Sequence, residues 1–180
     1  AGIGTDTGGS IRIPAAWNGT SGLMPTFGRV PKSGCVPLGY SLDHIGPLAR
    51  SARDCAEVLS VIAGYHPSDE CCADRPVDDY LSGLTGDLTG VRVGVDRSAT
   101  FFPEHGDAEL VSRFEDAVSA LSGLGAQIVD VALPYYDEVS TALWVMMTCE
   151  ALAYHHGDLG SRWNDYTALG RMMIARGAFF

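Results

Sequence analysis

The sequence predicts an α/β protein, and three observations support this prediction. Residues 90–134 contain an apolar stretch, a helical pattern and a second apolar stretch, which is the order of a strand–helix–strand unit. Residues 51–64 carry apolar side chains at helical spacing. Residues 1–50 are rich in glycine and proline, with short apolar pieces and no sustained helical period. Helices and short strands are therefore expected along the same chain.

The first fifty residues are predicted to form loops and short strands, with one short helix near residues 14–17. Proline is favoured in the first turn of a helix, and this stretch reads PAAW. A longer helix is expected over residues 51–64. Ser51 suits the N-cap, Asp54 follows three residues later, and Gly64 suits the C-cap. Its apolar face comprises Ala52, Cys55, Val58, Leu59 and Ile62.

The second half of the chain predicts a parallel strand pair. Residues 65–89 are polar and rich in aspartate, so they predict a surface connection. Residues 90–95 (GVRVGV) predict a strand, residues 107–125 a helix that ends at a glycine, and residues 126–134 a second strand. A right-handed crossover would make the two strands parallel. The helix would bury Leu110, Val111, Phe114, Val118 and Leu121.

Two more helices are predicted near the end of the chain, at about residues 137–155 and 166–177. The first contains an apolar stripe that is more typical of a core or a pocket wall than of a cofactor site. The stripe comprises Leu143, Trp144, Met146 and Met147.

The composition limits the classes of function. A chain of 180 residues suffices for one ordinary domain, and 46% hydrophobic with 19% charged residues is typical of globular proteins. A net charge of −10 disfavours non-specific binding to nucleic acid and to anionic membranes. No apolar run reaches the roughly 18 residues that span a bilayer, and no signal peptide is visible. We therefore predict a cytoplasmic protein that binds neither nucleic acid nor membrane.

The cysteines indicate free thiols and no metal site. Their number is odd and no Cys-x-x-Cys pair occurs, which disfavours both a disulfide framework and zinc. Cys35 and Cys149 lack any motif of a nucleophilic cysteine, so buried structural thiols are the expectation. The five cysteines are Cys35, Cys55, Cys71, Cys72 and Cys149.

A second candidate for a metal site is the pair His155 and His156, with Glu150 and Asp158 nearby. Adjacent residues of a helix point about 100° apart, so the two imidazoles do not easily share one ion. A solvated or partly buried histidine pair is the favoured interpretation.

The most informative stretch is GTDTGGSIRIPAA, residues 4–16. Consecutive glycines allow successive backbone N–H groups to point toward one anion. A phosphate loop is one interpretation, but the lysine-containing and dinucleotide-binding motifs are both absent, and the only lysine is Lys32. A glycine-rich turn with a solvated serine is a second interpretation.

The third interpretation is a serine nucleophile for acyl transfer. Ser10 would attack a carbonyl, and the backbone amides of the preceding residues would stabilise the oxyanion. The Gly-x-Ser-x-Gly elbow of α/β-hydrolases is absent, so the chemistry would belong to another class. Flanking residues favour a function over a plain turn. Asp6 can accept loop N–H groups, Arg12 can brace the loop, and Pro14 can start a helix.

Residues 4–51 closely resemble the second half of the amidase signature, which defines a family of Ser-Ser-Lys hydrolases. Gly-Gly-Ser-Ile-Arg, Gly-Leu-x-Pro-Thr-x-Gly-Arg and Ser-Leu-Asp-x-x-Gly-Pro occur in the order and spacing of that family. The resemblance implies an α/β fold with a mixed β-sheet flanked by helices on both faces. Residues 1–180 would be a fragment of a single amidase domain. In it, residues 1–50 form the second half of the signature and residues 51–180 the helices and strands that follow.

The same resemblance assigns roles to residues of the loop. Ser10 corresponds to the nucleophile, Asp6 and Arg12 support the loop, and the backbone amides of Thr7, Gly8, Gly9 and Ser10 form the oxyanion hole. The lysine base and the second serine of the family lie before this loop and are not in this sequence, while Lys32 lies in the wrong segment to replace the base. We therefore expect an amidase that forms an acyl-enzyme, and an isolated fragment that is inactive.

The resemblance implies a small-molecule amide as substrate and neither an organic cofactor nor a metal, and it leaves a homo-oligomer open. One alternative is the A-type subunit of glutamyl-tRNA(Gln) amidotransferase, and another is a non-catalytic scaffold of the same fold. Ile13 resembles general amidases, because the A-type subunits of amidotransferases tend to carry glutamine there. Met24 stands where the family usually has a lysine other than the catalytic one.

Two further hypotheses concern residues outside the loop. Asp43 and His44 could complete a triad with Ser10, but adjacent residues do not by themselves place a carboxylate behind an imidazole. A structural corner is therefore favoured for Ser-Leu-Asp-x-x-Gly-Pro. The stripe around Leu143 could line the pocket for the acyl group.

Overall fold

The structure is a computed structural model that describes residues 1–97 and 107–180. The described chain divides into two compact units. The first comprises Ala1–Leu84 and Thr141–Phe180, and the second comprises Thr85–Ser140. Strands and helices occur in both, which confirms the α/β prediction.

The first unit contains a three-stranded antiparallel sheet. Strands β1 (Gly2–Asp6) and β2 (Ser21–Gly22) flank the central strand β3 (His44–Ala49). Asp6, the last residue of β1, pairs with His44, the first residue of β3. Helix α1 (Arg12–Trp17) follows β1 after a short loop, and it includes the predicted short helix. The sheet therefore brings the loop after β1 close to the segment that precedes β3.

Helix α2 (Ala52–Ile62) packs against β2 and β3 and confirms the second prediction. The Ser51 hydroxyl accepts a hydrogen bond from the amide of Asp54 at 3.1 Å, as an N-cap does. The buried face comprises Cys55, Ala56 and Leu59. Its C-cap is Ala63, one residue earlier than predicted, and Gly64 follows with a positive φ.

The second unit contains the predicted strand–helix–strand unit. Strands β4 (Arg92–Val95) and β5 (Gln127–Asp130) are parallel, and helix α3 (Ala108–Gly123) lies between them in the chain and contacts β5. Of the predicted apolar face of α3, Val118 is buried, while Leu110 is 58% exposed. The prediction of one buried face is therefore confirmed at the centre of the helix and wrong near its start.

The last helices of the chain are α4 (Tyr136–Arg162) and α5 (Ala168–Ala175). Short 3-10 turns follow each of them, at Trp163–Asp165 and Arg176–Phe179. Helix α4 extends beyond the predicted end at about residue 155. It continues through two glycines because the propensity cost of glycine, about 1 kcal/mol per residue, is tolerated once a long helix has formed.

The connection between residues 65 and 89 is not purely the surface segment that was predicted. Asp69 and Cys72 are both buried. The Asp69 carboxylate accepts backbone N–H groups of Lys32 at 2.8 Å and of Cys71 at 3.0 Å. Burial of this aspartate is tolerated because the carboxylate is satisfied by hydrogen bonds within the fold.

Among the helices of the described residues, none is both long and apolar enough to cross a membrane.

Candidate active site

The loop that joins β1 to α1 carries the candidate nucleophile. We call residues 7–10 the serine loop. Ser10 is exposed, and its hydroxyl makes no hydrogen bond to another residue in the part of the chain that the structure describes. The next residue, Ile11, is fully buried and anchors the end of the loop in the core. The serine is therefore presented to solvent from a fixed backbone.

The carboxylate of Asp6 binds the second half of the serine loop through hydrogen bonds. It accepts the amides of Gly9 at 2.6 Å and of Ile11 at 3.2 Å. Arg12 donates to the same carboxylate through Nε at 2.9 Å and through Nη2 at 3.0 Å. Two parallel N–H donors from one guanidinium fix the carboxylate in direction as well as in distance.

The environment of Asp6 also sets its charge. Burial alone would raise the pKa of this carboxyl, but the hydrogen bonds from Arg12, Ile11 and Gly9, with the charge of Arg12, outweigh burial and lower the pKa to about 2. Asp6 is therefore ionised at every pH at which the protein would work. It serves as a fixed acceptor, not as a proton carrier.

The backbone of the serine loop provides free donors beside the serine. Gly9 has φ of +135°, a conformation that is strained for any other residue, and a Cβ at this position would lie 2.7 Å from Cδ1 of Ile13. Its N–H points to Asp6. Among the described residues, the amides of Gly8 and Ser10 have no acceptor within the protein. Two N–H groups next to the Ser10 hydroxyl are thus available to an oxyanion.

The first residue of the serine loop is held by Asp43. The Thr7 hydroxyl donates a short hydrogen bond to Oδ1 of Asp43, and both side chains are buried. The same carboxylate accepts the amides of Leu38 at 2.9 Å and of Gly39 at 3.2 Å. The favoured interpretation of this segment as a structural corner describes the geometry well, although the contact with Thr7 has no signal in the local sequence.

His44 is not arranged as a catalytic histidine oriented by Asp43. Its Nδ1 faces the backbone oxygens of Leu42, at 2.6 Å, and of Asp6, at 3.3 Å. The Asp43 carboxylate faces Thr7 and the corner backbone instead. The triad hypothesis is therefore wrong in its central element, the carboxylate behind the imidazole.

The contacts of Lys32 are likewise structural and do not present it as a base for Ser10. The side chain is buried, and its Nζ donates to the backbone oxygen of Tyr40. Its ammonium lies 4.2 Å from the ring centroid of Phe27 and 4.3 Å from that of Tyr40. Two cation–π contacts and a carbonyl acceptor give this lysine a structural environment.

One face of α4 lies over the serine loop and the corner. A Cβ at Gly8 would lie 3.2 Å from Cδ2 of Leu143, and one at Gly39 would lie 3.5 Å from Cα of Met147. One turn further, Glu150 accepts the backbone amide of Ser41 at 2.9 Å and also its hydroxyl. These three helix residues have the spacing i, i+4 and i+7, which defines one face.

Only part of the predicted apolar stripe of α4 faces the serine loop and the corner. Leu143 and Met147 face the loops, while Trp144 and Met146 are exposed. The sequence signal was the periodicity of the helix, which does not indicate which of its faces meets the serine loop. That choice depends on tertiary packing.

The other candidates have structural surroundings. His155 faces the hydroxyl of Tyr166 at 3.0 Å, and the described residues contain no group of three or more His, Cys, Asp or Glu that could hold a metal ion. All five cysteines are free. Cys35 is exposed, so its predicted burial is wrong, and Cys149 is half-buried.

Comparison with known proteins identifies the family to which the chain is similar. The amidase family model matches residues 1–177. The A-type subunit of glutamyl-tRNA(Gln) amidotransferase from Roseiflexus sp. (strain RS-1) is 45% identical over 151 residues, which are 84% of this chain and 31% of that protein. The chain therefore spans about a third of the length of the curated relatives it matches.

Solved structures show the same fold. One, from a vestigial protein complex linked to the evolutionary origins of an s-triazine catabolic enzyme, has a TM-score of 0.83 and 33% identity over 99% of this chain and 38% of its own. A bacterial aryl acylamidase of the amidase signature family has a TM-score of 0.78 and 28% identity, over 98% of this chain and 38% of its own.

Proposed function

Because this chain belongs to the amidase family, we propose that it carries the nucleophile of a carboxamide hydrolase, Ser10. The observation that carries the proposal is the serine loop, in which an exposed hydroxyl stands beside two N–H groups that are free of protein acceptors among the described residues. These are the nucleophile and the oxyanion donors that acyl transfer through a serine uses. The substrate would be a small-molecule amide, with no metal or organic cofactor in the reaction.

The reaction would proceed through an acyl-enzyme. The Ser10 oxygen attacks the carboxamide carbon, and the carbonyl oxygen becomes an oxyanion that accepts the amides of Gly8 and Ser10. The C–N bond then breaks, and ammonia or an amine leaves with the proton that the serine has given up. Water attacks the resulting ester and releases the carboxylic acid. Each oxyanion donor in such a site is worth about 10²–10³ in rate.

In the proposed oxyanion hole, Thr7 and Gly9 have different roles. The backbone amide of Thr7 is a third donor at the start of the loop. The N–H of Gly9 is engaged by Asp6 at 2.6 Å, so Gly9 contributes mainly by shaping the loop. Asp6 and Arg12 act as loop support.

The proton of Ser10 needs an acceptor, and the candidate bases of this chain are engaged elsewhere. Lys32 and His44 are both held by backbone oxygens and aromatic rings. We propose that the lysine and second serine of the family supply the relay from a part of the protein outside these residues. The isolated chain, a portion of a single amidase domain, is then inactive because a serine hydroxyl without a base is a weak nucleophile.

A second candidate function is supported by the identity with A-type amidotransferase subunits, which is 45% for the relative from Roseiflexus. Such a protein would use the same serine chemistry on glutamine and pass the ammonia to a misacylated tRNA within a complex. Ile13 favours a general amidase instead. The two candidates differ in substrate and partners, not in the chemistry of Ser10.

The test is covalent labelling of the protein expressed from its complete reading frame. A fluorophosphonate probe should label Ser10, identified by intact mass and peptide mapping, and Ser10→Ala should remove the label and the hydrolysis of a simple carboxamide. The 180-residue chain alone should stay unlabelled. Labelling that persists in Ser10→Ala would contradict the proposal.

The same protein distinguishes the two candidates. Release of ammonia from aliphatic or aromatic carboxamides at rates well above those with glutamine would favour a general amidase. Strict preference for glutamine, together with co-purifying partner proteins, would favour the amidotransferase. Cytoplasmic location and homo-oligomer formation stay predictions that fractionation and light scattering can check.

A further inference from the structure

Asp43 lies where a corner of the fold meets the start of the serine loop. Asp43 is buried, and its carboxylate faces three donors: the Thr7 hydroxyl and the amides of Leu38 and Gly39. The amide of Asp43 donates in turn to the carbonyl oxygen of Gly39 at 2.8 Å. The hydrogen bonds within the corner therefore fix the position of the carboxylate independently of its contact with Thr7.

Thr7 is held in a single position by two contacts on its two branches. The hydroxyl is bound by Asp43, and a Cβ at Gly39 would lie 3.2 Å from the Thr7 methyl, so the methyl lies against the Gly39 backbone. Threonine is branched at Cβ, so fixing both branches fixes χ1 and restrains the backbone that bears it. The peptide that follows Thr7 carries the N–H of Gly8, one of the two free amides.

The carboxylates of Asp6 and Asp43 bind different parts of the serine loop. Asp6 binds the amides of Gly9 and Ile11, on either side of the serine. Asp43 binds only the side chain of Thr7, at the start of the loop. Without the second anchor, the peptide between Thr7 and Gly8 would be restrained only through Asp6, which precedes it at the end of β1 and binds the Gly9 amide that follows it.

The corner that carries Asp43 is itself attached to helix α4. Glu150 accepts the amide and the hydroxyl of Ser41, and the Met147 backbone lies close to Gly39. Leu143, on the same face, reaches Gly8. A rigid helix thus connects the corner to the loop, so the Asp43 carboxylate is placed by packing as well as by its own hydrogen bonds.

We infer that Asp43 is a positioning residue of the oxyanion hole, acting through the hydroxyl of Thr7 on the direction of the Gly8 N–H. The inference rests on the proposed function of the serine loop. It concerns transition-state stabilisation alone, because the oxyanion forms only after attack. Asp43 touches neither the substrate nor Ser10 in this role.

The test compares Thr7→Val with Thr7→Ser in the protein expressed from its complete reading frame. Valine keeps the branched shape and removes the hydroxyl, and serine keeps the hydroxyl. We expect kcat to fall on the order of tenfold or more in Thr7→Val, with KM changed by less than about threefold, and to fall clearly less in Thr7→Ser, which keeps the hydroxyl and loses only the methyl contact. A double-mutant cycle with Asp43→Asn should be strongly non-additive, because both changes disrupt one hydrogen bond.

Asp69→Asn is the matched control. Asp69 is a buried carboxylate that also accepts two backbone amides, but it has no contact with the serine loop among the described residues. It should lower the melting temperature and leave kcat unchanged. If Thr7→Val does not fold, the comparison of Asp43→Asn with Asp69→Asn at equal stability decides the question by the same loss of kcat.

Three outcomes would overturn the inference: unchanged kcat in Thr7→Val, an equal loss in Thr7→Ser, or a loss of kcat in Asp69→Asn as large as in Asp43→Asn. These outcomes are distinct from failure of the proposed function. In that case Ser10→Ala would keep its activity, whereas failure of the inference leaves Ser10 essential and Asp43 without effect on kcat.

Discussion

At the residue scale, a buried aspartate and its arginine determine the shape of the serine loop. Asp6 is inaccessible to solvent yet ionised, because Arg12 and two backbone amides compensate its burial. Breaking such a pair leaves donors without an acceptor, and this cost exceeds the net contribution of the pair to stability. The loop therefore depends on the charge of one side chain.

Asp6→Asn should destabilise the protein at neutral pH on the order of 2 kcal/mol, because the pKa of Asp6 falls from 3.8 to about 2 on folding. A lowered pKa in the folded state stabilises the protein above the ordinary pKa, and this contribution is lost as the pH falls toward 2. Urea unfolding of both proteins at several pH values measures the difference. It should be constant from pH 7 to about 5 and then decrease as the pH falls through about 2.

The exposed Asp87 provides the control for this prediction. Its pKa is lowered by hydrogen bonds to Thr89, but the group is on the surface. Asp87→Asn should have a much smaller effect on the free energy of unfolding at every pH. An equal effect of the two substitutions would show that the anchoring of the serine loop is not the cause.

A second prediction concerns the backbone of the serine loop at Gly9. Gly9→Ala would place a methyl group 2.7 Å from Ile13 in a backbone conformation that is almost restricted to glycine. In the protein expressed from its complete reading frame, we expect a loss of about 2 kcal/mol or more in unfolding free energy, together with loss of the fluorophosphonate label on Ser10. Chemical denaturation and intact mass are the measurements.

Gly19→Ala is the matched comparison for Gly9→Ala. Gly19 also has a positive φ, of +60°, but a Cβ there would meet nothing within 4 Å. It should cost only about 1 kcal/mol, the strain of a left-handed alanine, and leave the label intact. If both variants lost the label equally, strain near the nucleophile could not explain the result.

At the element scale, helix α4 connects the loops of the site. Its residues 143, 147 and 150 share one face and meet the serine loop and the corner, while Trp144 and Met146 are exposed. A helix can combine these roles because its backbone hydrogen bonds are internal and its side chains are free to contact other elements. We expect the face that meets the serine loop to form one wall of the pocket for the acyl group.

Leu143→Ala should therefore change the choice of acyl chain in the complete protein. Removing the side chain next to Gly8 creates space, so kcat/KM for a bulky acyl group should rise relative to that for a small one by roughly 10-fold, the usual range for a few methylene groups. Steady-state kinetics with a series of primary amides measures the ratio. Met146→Ala, an exposed site on the same helix, should leave it unchanged, and an unaltered ratio in both variants would exclude α4 as a wall of the pocket.

At the scale of the whole molecule, the chain exposes large apolar side chains and an open sheet edge. Trp17 and Phe179 are each 86% exposed, and in the described residues β1 pairs with β3 on one side only. Unpaired strand edges and apolar patches favour association, and the net charge of −10 opposes it. The balance of these two effects should depend on ionic strength.

The 180-residue chain by itself should therefore associate. Size-exclusion chromatography with light scattering should give a mass above 19.1 kDa, and the mass should increase with salt as repulsion is screened. A single species of 19.1 kDa at all salt concentrations, with a cooperative thermal transition, would contradict this expectation.

The sequence alone predicts the helices and strands that follow residue 50, the N-cap at Ser51, the parallel strand pair and the position of the serine loop in the chain. These features follow from signals between neighbours in the chain: spacing, capping residues and glycines. It did not determine the end of α4, because the cost of its two glycines was small beside the cooperativity of the helix.

Which side chains meet at the site depends on tertiary packing. Asp43 faces Thr7 across 36 positions of sequence, and Leu143 reaches Gly8 from a helix near the other end of the chain. Lys32 turns to a carbonyl and two aromatic rings, contacts that the sequence did not indicate. Such contacts depend on how elements pack against one another. Local periodicity and capping describe each element separately and carry no information about which faces come together.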